Sequence, residues 1–414
     1  MENPTKKIVI IGAGTAGIML SNKLVKHKLD VTVIDSSEVH YYQPGFLFLP
    51  FGKYNLDKLR RPLSKLINKK VTHLRDRVAS INYSGNSLTT ESGQEVGYDI
   101  LVIATGTHID ASATQGLSGA GWRKNIFDFY TPDGAMALRE ALQNFTQGKL
   151  VVQIMDMPIK CPVAPLEFAF LADDYFRKRG LRDQIEIEYV TSLSGAFTKP
   201  VASSKLGHLL TDKNINIVAD FYVEKVDPEA RKLICYDGRE VNYDLLVTIP
   251  VNAGADFLHN SEIANELGFV EVNHGSLQST KYPNLFAIGD AADLPTSKAG
   301  SVAHFEVETL VENIMRSING QPLEESFDGH SNCFVEAGGG KALLLDFNYQ
   351  TEPLEGRFPF AMFGPMKLLN PSRINHLGKL AFRYIYWYML LPGRKIPFIP
   401  NKMSIKGKKQ PKIS

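Results

Sequence analysis

At 414 residues, 44% hydrophobic and 22% charged with no low-complexity tract, the chain can build two or three packed domains and is too apolar for disorder. A net charge of +2 leaves no electrostatic footprint for nucleic acid, and three cysteines cannot make a secreted disulfide framework. No apolar run approaches the roughly 20 residues that span a bilayer, and no signal peptide is expected, because KKIVIIGAG runs into a glycine turn instead of a cleavage site.

The stretch KKIVIIGAGTAGIMLSNKLVKHKLDVTVIDSSE predicts a strand, a G-x-G-x-x-G turn at Gly12, Gly14 and Gly17, a helix, and a second strand ending at Asp35. The first two glycines let the backbone approach a pyrophosphate at the helix N-terminus, and Gly17 lets helix and strand pack closely. Asp35, at the end of the second strand, is placed to accept ribose hydroxyls. A chance glycine turn would lack this strand–turn–helix setting.

An internal repeat follows. SGQEVGYDILVIATG (92–106) and DGREVNYDLLVTIPV (237–251) align Gly93 with Gly238, Tyr98 with Tyr243 and Asp99 with Asp244, at one constant offset. Two related three-layer nucleotide-binding units are therefore expected. The first copy ends in Thr105 and Gly106, small enough for a dinucleotide to pass; the second ends in Thr-Ile-Pro. The second unit also departs at its own first turn. IMDMPIKCPVAPLE (154–167) holds three prolines, Lys160 and Cys161 where a phosphate loop would hold glycines. A nicotinamide dinucleotide on that unit is not expected.

YPNLFAIGDAAD (282–293) is an apolar strand running into Gly289 and Asp290. In two-dinucleotide flavoproteins such an acid bonds the ribityl chain, so the motif indicates FAD; Lys298, just beyond it, suits negative charge on a reduced flavin. From about 321 the character changes. SNCFVEAGGGKALLLDFNY reads as a hairpin, with the EAGGG turn leaving room beside Cys333 for a planar ring. From Ile374 to Leu391 apolar and aromatic residues alternate with His376, Lys379 and Arg383 at helical spacing, and seven Lys or Arg without an acid follow from Arg394 to Ser414. This predicts an amphipathic, basic element for a membrane surface; packing on the body or on a second copy is the alternative.

Cys235 matches Thr90 in the repeat and reads as structural. Cys161 and Cys333, remote from each other in the chain, are either a redox pair over a flavin or two inert thiols, and spacing alone leaves both open. The ten histidines show no metal-ligand cluster; His304 and Glu308 share a helix face, but two ligands are not a site.

With KCPVAPLE at the second turn, the FAD fingerprint, Gly-Asp followed by SKAG, a late cysteine and an amphipathic C-terminus, the chain resembles the sulfide:quinone oxidoreductases over essentially its whole length. The resemblance implies a glutathione-reductase-like α/β fold: two Rossmann-like domains, the second degenerate, plus a C-terminal membrane-attachment region. The expected divisions are 1–112 and 248–320 for FAD, 113–247 for the second unit and 321–414 for the quinone and membrane region. It implies FAD as cofactor, hydrogen sulfide as donor and a membrane quinone as acceptor. Sulfide would open a Cys161–Cys333 disulfide and leave as sulfane sulfur or polysulfide, with Cys333 nearer the flavin. Glu167 would shuttle protons, or be merely a helix-start carboxylate, and Lys160 would favour the Cys161 thiolate. Tyr349, Phe358, Phe360, Phe363 and Lys379 are the candidates beside the quinone. Peripheral attachment to the cell membrane through about 355–400 is expected, with self-association left open. A third cysteine that many members carry is missing from NIFDFYTPDGA, and VTSLSGAFTKP lacks a histidine that some members have. The competing readings are a type II NADH:quinone oxidoreductase, the flavoprotein subunit of flavocytochrome c sulfide dehydrogenase, and a flavin-binding scaffold with inert cysteines.

Overall fold

A buried strand of a parallel sheet needs apolar side chains on both faces, and KIVII supplies them. In the computed structural model, which describes residues 5–361, 363–397 and 399–409, β1 (Lys7–Ile11) runs through the middle of the first sheet. Helix α1 (Thr15–Leu24), β2 (Asp30–Ile34), β3 (Thr72–Leu74) and β4 (Ile100–Ile103) follow. The second unit contributes β5 (Gly148–Ile154), α2 (Ala164–Lys178), β6 (Ile185–Thr191), β7 (Ile215–Val218) and β8 (Leu245–Ile249). The chain then returns to the first sheet with β9 (Leu285–Ala287) and continues into α3 (Gly300–Ile318). The first sheet has the order β9-β4-β1-β2-β3 and the second, with Ile126–Phe127 at its edge, continues β8-β5-β6-β7; both are parallel throughout.

The repeat is structural. Antiparallel meanders at Val78–Asn82, Ser87–Thr90 and Glu95–Gly97 and at Val223–Asp227, Lys232–Cys235 and Glu240–Asn242 correspond strand for strand at the sequence offset, as do β4 and β8. Both turns bend at a glycine, Gly93 with φ +87° and Gly238 with φ +86°. Both aspartates do the same work, Asp99 accepting from the Lys7 N–H at 2.8 Å and Asp244 from the Lys149 N–H at 2.7 Å. Cys235 is buried in its meander strand.

The C-terminal hairpin pairs β10 (Ser331–Gly338) with β11 (Lys341–Phe347), setting Cys333 opposite Leu345. Its tip does not make room beside Cys333. Residues 338–340 lie at the far end of the hairpin, where a side chain at Gly338 would meet the Phe170 carbonyl of α2 at 2.9 Å. Helix α4 (Arg373–Ile385) lies across the hairpin and passes into a π-helical turn, Tyr386–Leu390, seated on α1. There the Tyr386 hydroxyl bonds His40 Nε2 at 2.5 Å and Thr15 Oγ1 at 2.7 Å, and Asn22 Nδ2 donates to the Leu391 carbonyl at 2.8 Å. Burial lowers the His40 imidazole to about 4, so it works there as a neutral ring. Among the described residues no helix is long and apolar enough to cross a membrane.

One lysine of the basic tail departs from the expected solvated or membrane-facing patch, while Arg394, Lys395, Lys402, Lys406 and Lys409 are exposed. The Lys408 side chain is buried, its ammonium 2.5 Å from Asp346, whose other oxygen is 2.7 Å from His330 Nε2. Burial opposes the Asp346 charge, but His330 and Lys408 outweigh it and hold the carboxyl below its ordinary value. The Met403 N–H donates to Asp328 at 3.1 Å, so the tail straps the strand that carries Cys333. Met362 and Phe398, within the attachment region expected over 355–400, and residues 410–414 of the tail lie outside the described residues. Removing one partner from a buried ion pair costs about 3 kcal/mol. Lys408→Ala is therefore expected to lose about that much in urea unfolding, whereas Lys406→Ala, on the exposed part of the tail, stays near wild type.

Candidate active site

The end of β1 and the start of α1 form a cradle for a dinucleotide. Gly12 has φ +105°, and a Cβ there would lie 2.4 Å from the Ala104 carbonyl oxygen; one at Gly17 would lie 1.9 Å from the Gly12 oxygen. Only backbone without side chains fits. Asp35 accepts from the Ala13 N–H at 2.6 Å and the Ser37 N–H at 2.7 Å, which points its carboxylate at the turn. After β4, the hydroxyls of Thr105 and Thr107 are buried with no hydrogen-bond partner among the described residues, and the Gly106 backbone faces open space. Gly289 reaches the same place from β9: a Cβ on it would stand 3.2 Å from that of Ala16. Its N–H donates to Glu306, a carboxyl that burial pushes up to about 7. Burial likewise raises Asp290 and lowers Lys298, whose ammonium donates to the Asp290 and Ala292 carbonyls, each at 2.9 Å. These residues fit FAD: the α1 N-terminus could hold the pyrophosphate, Asp35 the ribose and Gly289–Asp290 the ribityl chain.

The sulfur loop is tied to this cradle. The Cys161 N–H donates to the Lys298 carbonyl at 2.7 Å, and the Lys160 N–H to Asn252 Oδ1 at 3.1 Å. Cys161 has φ +46°, a left-handed conformation that costs a residue with a side chain about 1–3 kcal/mol. The Tyr130 hydroxyl holds it there, donating to the Lys160 carbonyl and, at 3.3 Å, to that of Cys161. Pro165 and Glu167 then open α2, the proline in the first turn where its missing N–H costs nothing.

The cation at this cysteine is not Lys160. That ammonium reaches away to Gln43 Oε1 at 3.4 Å and the Thr107 carbonyl at 3.3 Å, and burial lowers its pKa. Lys379 takes its place. From α4 it pairs with Glu167 and donates to the Phe334 carbonyl at 3.2 Å. The geometry depends on a strand edge: among the described strands β10 pairs with β11 alone, which leaves its other edge for α2. Glu167 takes the Glu336 N–H of that edge at 2.6 Å, while Lys379 takes the Phe334 carbonyl. Gly378 permits the approach, since a Cβ there would lie 2.8 Å from the Met366 side chain and 3.0 Å from the Phe334 ring.

Cys161 and Cys333 thus share one pair of charges. Burial pushes the Cys333 thiol up to about 12; Glu167 adds to the rise, while Lys379 and a hydrogen bond with Ser301 oppose it. Burial, Glu167 and Cys333 together push Cys161 well above the usual thiol range, again against Lys379. Glu167 itself is raised by burial to about 7 in spite of Lys379. Burial acts to lower Lys379, but Glu167 and Glu336 outweigh it and keep the ammonium charged. The site sets a half-buried Cys161 and a buried Cys333 beside a carboxyl able to change protonation near neutrality and a fixed positive charge.

The residues expected beside a quinone make different contacts. Lys379 belongs to the sulfur side. Tyr349 packs on Phe327 and His274, ring centroids 5.8 and 6.0 Å away. Phe358 is half-buried, while Phe360 and Phe363 are exposed. Glu308 is paired with Lys23 at 2.6 Å, and among the described residues no three His, Cys, Asp or Glu are grouped to hold a metal ion. The sequence pattern assigns no role at the site to Tyr130, Glu336 or His376. Glu336, two residues before the glycine tip, and His376, three before Lys379, carry a readable signal, a carboxylate and a base on facing elements; Tyr130 carries none.

The family model for pyridine nucleotide-disulphide oxidoreductases matches residues 6–153. The chain is 30% identical over 409 residues to the mitochondrial sulfide:quinone oxidoreductase of Schizosaccharomyces pombe, covering 92% of this chain and 89% of the relative. It is 28% identical to the mitochondrial sulfide:quinone oxidoreductase of Mus musculus, covering 94% and 86%. The crystal structure of the sulfide:quinone oxidoreductase of Aquifex aeolicus superposes with a TM-score of 0.80 at 22% identity, over 94% of this chain and 92% of that one. Gly17→Ala, which drives a methyl group into the Gly12 carbonyl, is expected to purify without flavin absorbance, whereas Gly93→Ala in the exposed meander turn retains it.

Proposed function

This chain belongs to the sulfide:quinone oxidoreductase family, and we propose that it oxidises hydrogen sulfide through a Cys161–Cys333 disulfide and delivers the electrons by way of FAD to a membrane quinone. The observation that supports this is the meeting of two cysteines from different parts of the chain around Glu167 and Lys379, on a loop bonded to the flavin-binding turn through Cys161 and Lys298. Bound FAD supplies the two-electron acceptor. Hydrosulfide attacks Cys161 of the disulfide, an S–S bond forms to the incoming sulfur, and the Cys161–Cys333 bond breaks to leave Cys333 as thiolate. Lys379 balances that charge. Glu167 takes the proton of the bound sulfur. A second hydrosulfide removes the outer sulfur as sulfane sulfur, leaving a second thiolate, and the two thiolates close to the disulfide as two electrons depart.

NADH is a poor fit as donor. The turn after β5 has no glycine, and the loop after β6 is packed on the C-terminal hairpin rather than open to a nucleotide. Phe197 meets Phe347 with centroids 6.4 Å apart, and Lys199 lies 3.8 Å from Glu352. For the membrane, Ile374, Leu377 (62% exposed), Tyr384 and Tyr388 fall at helical spacing on one exposed face of α4 and the turn after it, Phe363 ahead of the helix is 86% exposed, and Arg373 and Arg383 supply cations for headgroups. Attachment to one leaflet through this face brings the aromatic side chains at Phe358, Phe360 and Phe363 to the acyl layer from which a quinone would enter.

Anaerobic sulfide is expected to reduce the FAD and decylubiquinone to reoxidise it, with NADH doing neither. Cys161→Ser and Cys333→Ser should each lower sulfide-dependent quinone reduction about 10³-fold or more while keeping FAD; full activity in either rules out the disulfide. Reduction by NADH without sulfide would favour a type II dehydrogenase. Phe363→Asp combined with Leu377→Asp is expected to move the protein from lipid vesicles to the supernatant with FAD retained, and unchanged sedimentation would count against the proposed face.

A further inference from the structure

Two ionisable groups, a buried carboxylate and a half-buried imidazole, have no part in the chemistry above. Glu336 is fully buried, and among the described residues its carboxylate is bonded to His376, whose Nδ1 lies 2.8 and 3.0 Å from the two oxygens. Burying such a pair stabilises a fold weakly or not at all compared with apolar side chains of the same volume. Its position is informative. Glu336 follows Phe334 on the β10 edge and gives its N–H to Glu167 at 2.6 Å. His376 stands one helical turn before Lys379 on the same face of α4. We propose that Glu336 and His376 form the outer half of a proton-release path, carrying protons from Glu167 at the sulfur site to solvent at the exposed rim of α4.

The path rests on the sulfide reading, since each sulfide oxidised leaves protons inside a closed site. Hydrogen bonds fix its two ends, Lys379 to Glu167 and Glu336 to His376, and Glu336 acts on Lys379 through space across the step between them. Glu167 takes a proton from sulfur. Lys379, bonded to Glu167 and with its charge held also by Glu336, passes one ammonium hydrogen outward and is refilled from Glu167. Glu336 receives it and hands it to His376 Nδ1. The His376 side chain is 17% exposed and is followed by Leu377 on the open face, so its outer nitrogen can release a proton to water or buffer. One proton leaves sulfur, one enters solvent, and no electron moves. Cys161, Cys333, Tyr42 and Tyr130 interact with Glu167, Lys53 and Tyr54 of the first unit's loop interact with Glu336 and Lys379, and Asp174 and Lys178 of α2 act on Lys53. These groups act on the path through space, without a hydrogen bond to the Glu336 or His376 side chain among the described residues. Glu167, raised to about 7 by burial, accepts protons from sulfur above that value and holds them below it. Turnover limited by emptying it therefore rises with pH through about 7.

The test compares the first flavin reduction by sulfide with steady-state decylubiquinone turnover in the FAD-loaded enzyme, alongside proton release followed with an indicator dye. In His376→Gln the ratio of turnover to first flavin reduction is expected to fall about 10-fold near neutral pH, with delayed proton release. Added imidazole should restore it, as a small base can stand in for a histidine at the surface. Glu336→Gln, nearly the same shape, should show the same fall without imidazole rescue, and it serves as the test if His376→Gln does not fold. An unchanged ratio and pH profile in both, or a His376→Gln loss that slows both rates equally and ignores imidazole, overturns the path. A wild-type protein whose FAD is not reduced by sulfide would instead sink the sulfide reading itself.

Discussion

The Glu167–Lys379 ion pair is the contact on which the arrangement of the sulfur site depends. It joins three separately folded pieces: the first turn of α2 from the second unit, helix α4 from the C-terminal region, and the open edge of β10. Neither partner is satisfied by the other alone. Glu167 also holds the Glu336 N–H and Lys379 the Phe334 carbonyl, so two side chains complete a strand edge that no described strand covers. A lone charge buried at this position would cost several kcal/mol. The pair, with its backbone partners, removes most of that cost and sets both cysteines beside one positive and one titratable group.

The first unit can be read closely from sequence because its constraints are local. A glycine with φ +105° against a carbonyl, a buried parallel strand and an acid at the end of the next strand act within one strand–turn–helix–strand unit, and each leaves its own residue type. The repeat is as clear, since a meander turn needs a glycine and the entry to a strand a capping aspartate, at Gly93 and Asp99 and again at Gly238 and Asp244. The degenerate turn is legible as a loss. That Cys161 adopts a left-handed backbone is not, because the Tyr130 hydroxyl and the Lys298 carbonyl that hold it come from segments remote in the chain.

The cation at the cysteine shows the same limit. Lys160 is adjacent in sequence, but in a βα turn the neighbouring side chain points elsewhere, here to Gln43. Lys379 belongs to the far end of the chain and arrives because Gly378 lets α4 settle on Phe334. One lysine of the tail misleads in a similar way. A run of lysines without acids reads as a solvated or membrane-facing patch unless a buried acid awaits one of them, and Asp346 lies too far along the chain for the sequence to announce the pairing with Lys408.

The π-helical turn after α4 ties the proposed lipid-facing helix to the first residue of the dinucleotide helix through Tyr386, His40 and Thr15. On the proposed attachment, these bonds would make lipid contact and cofactor grip parts of one lever. Force on α4 at a bilayer would reach the glycine turn through the Tyr386 phenol, and loss of the cofactor would loosen the seat of the helix in return. Anchoring and flavin retention would then be thermodynamically linked, each raising the apparent affinity of the other.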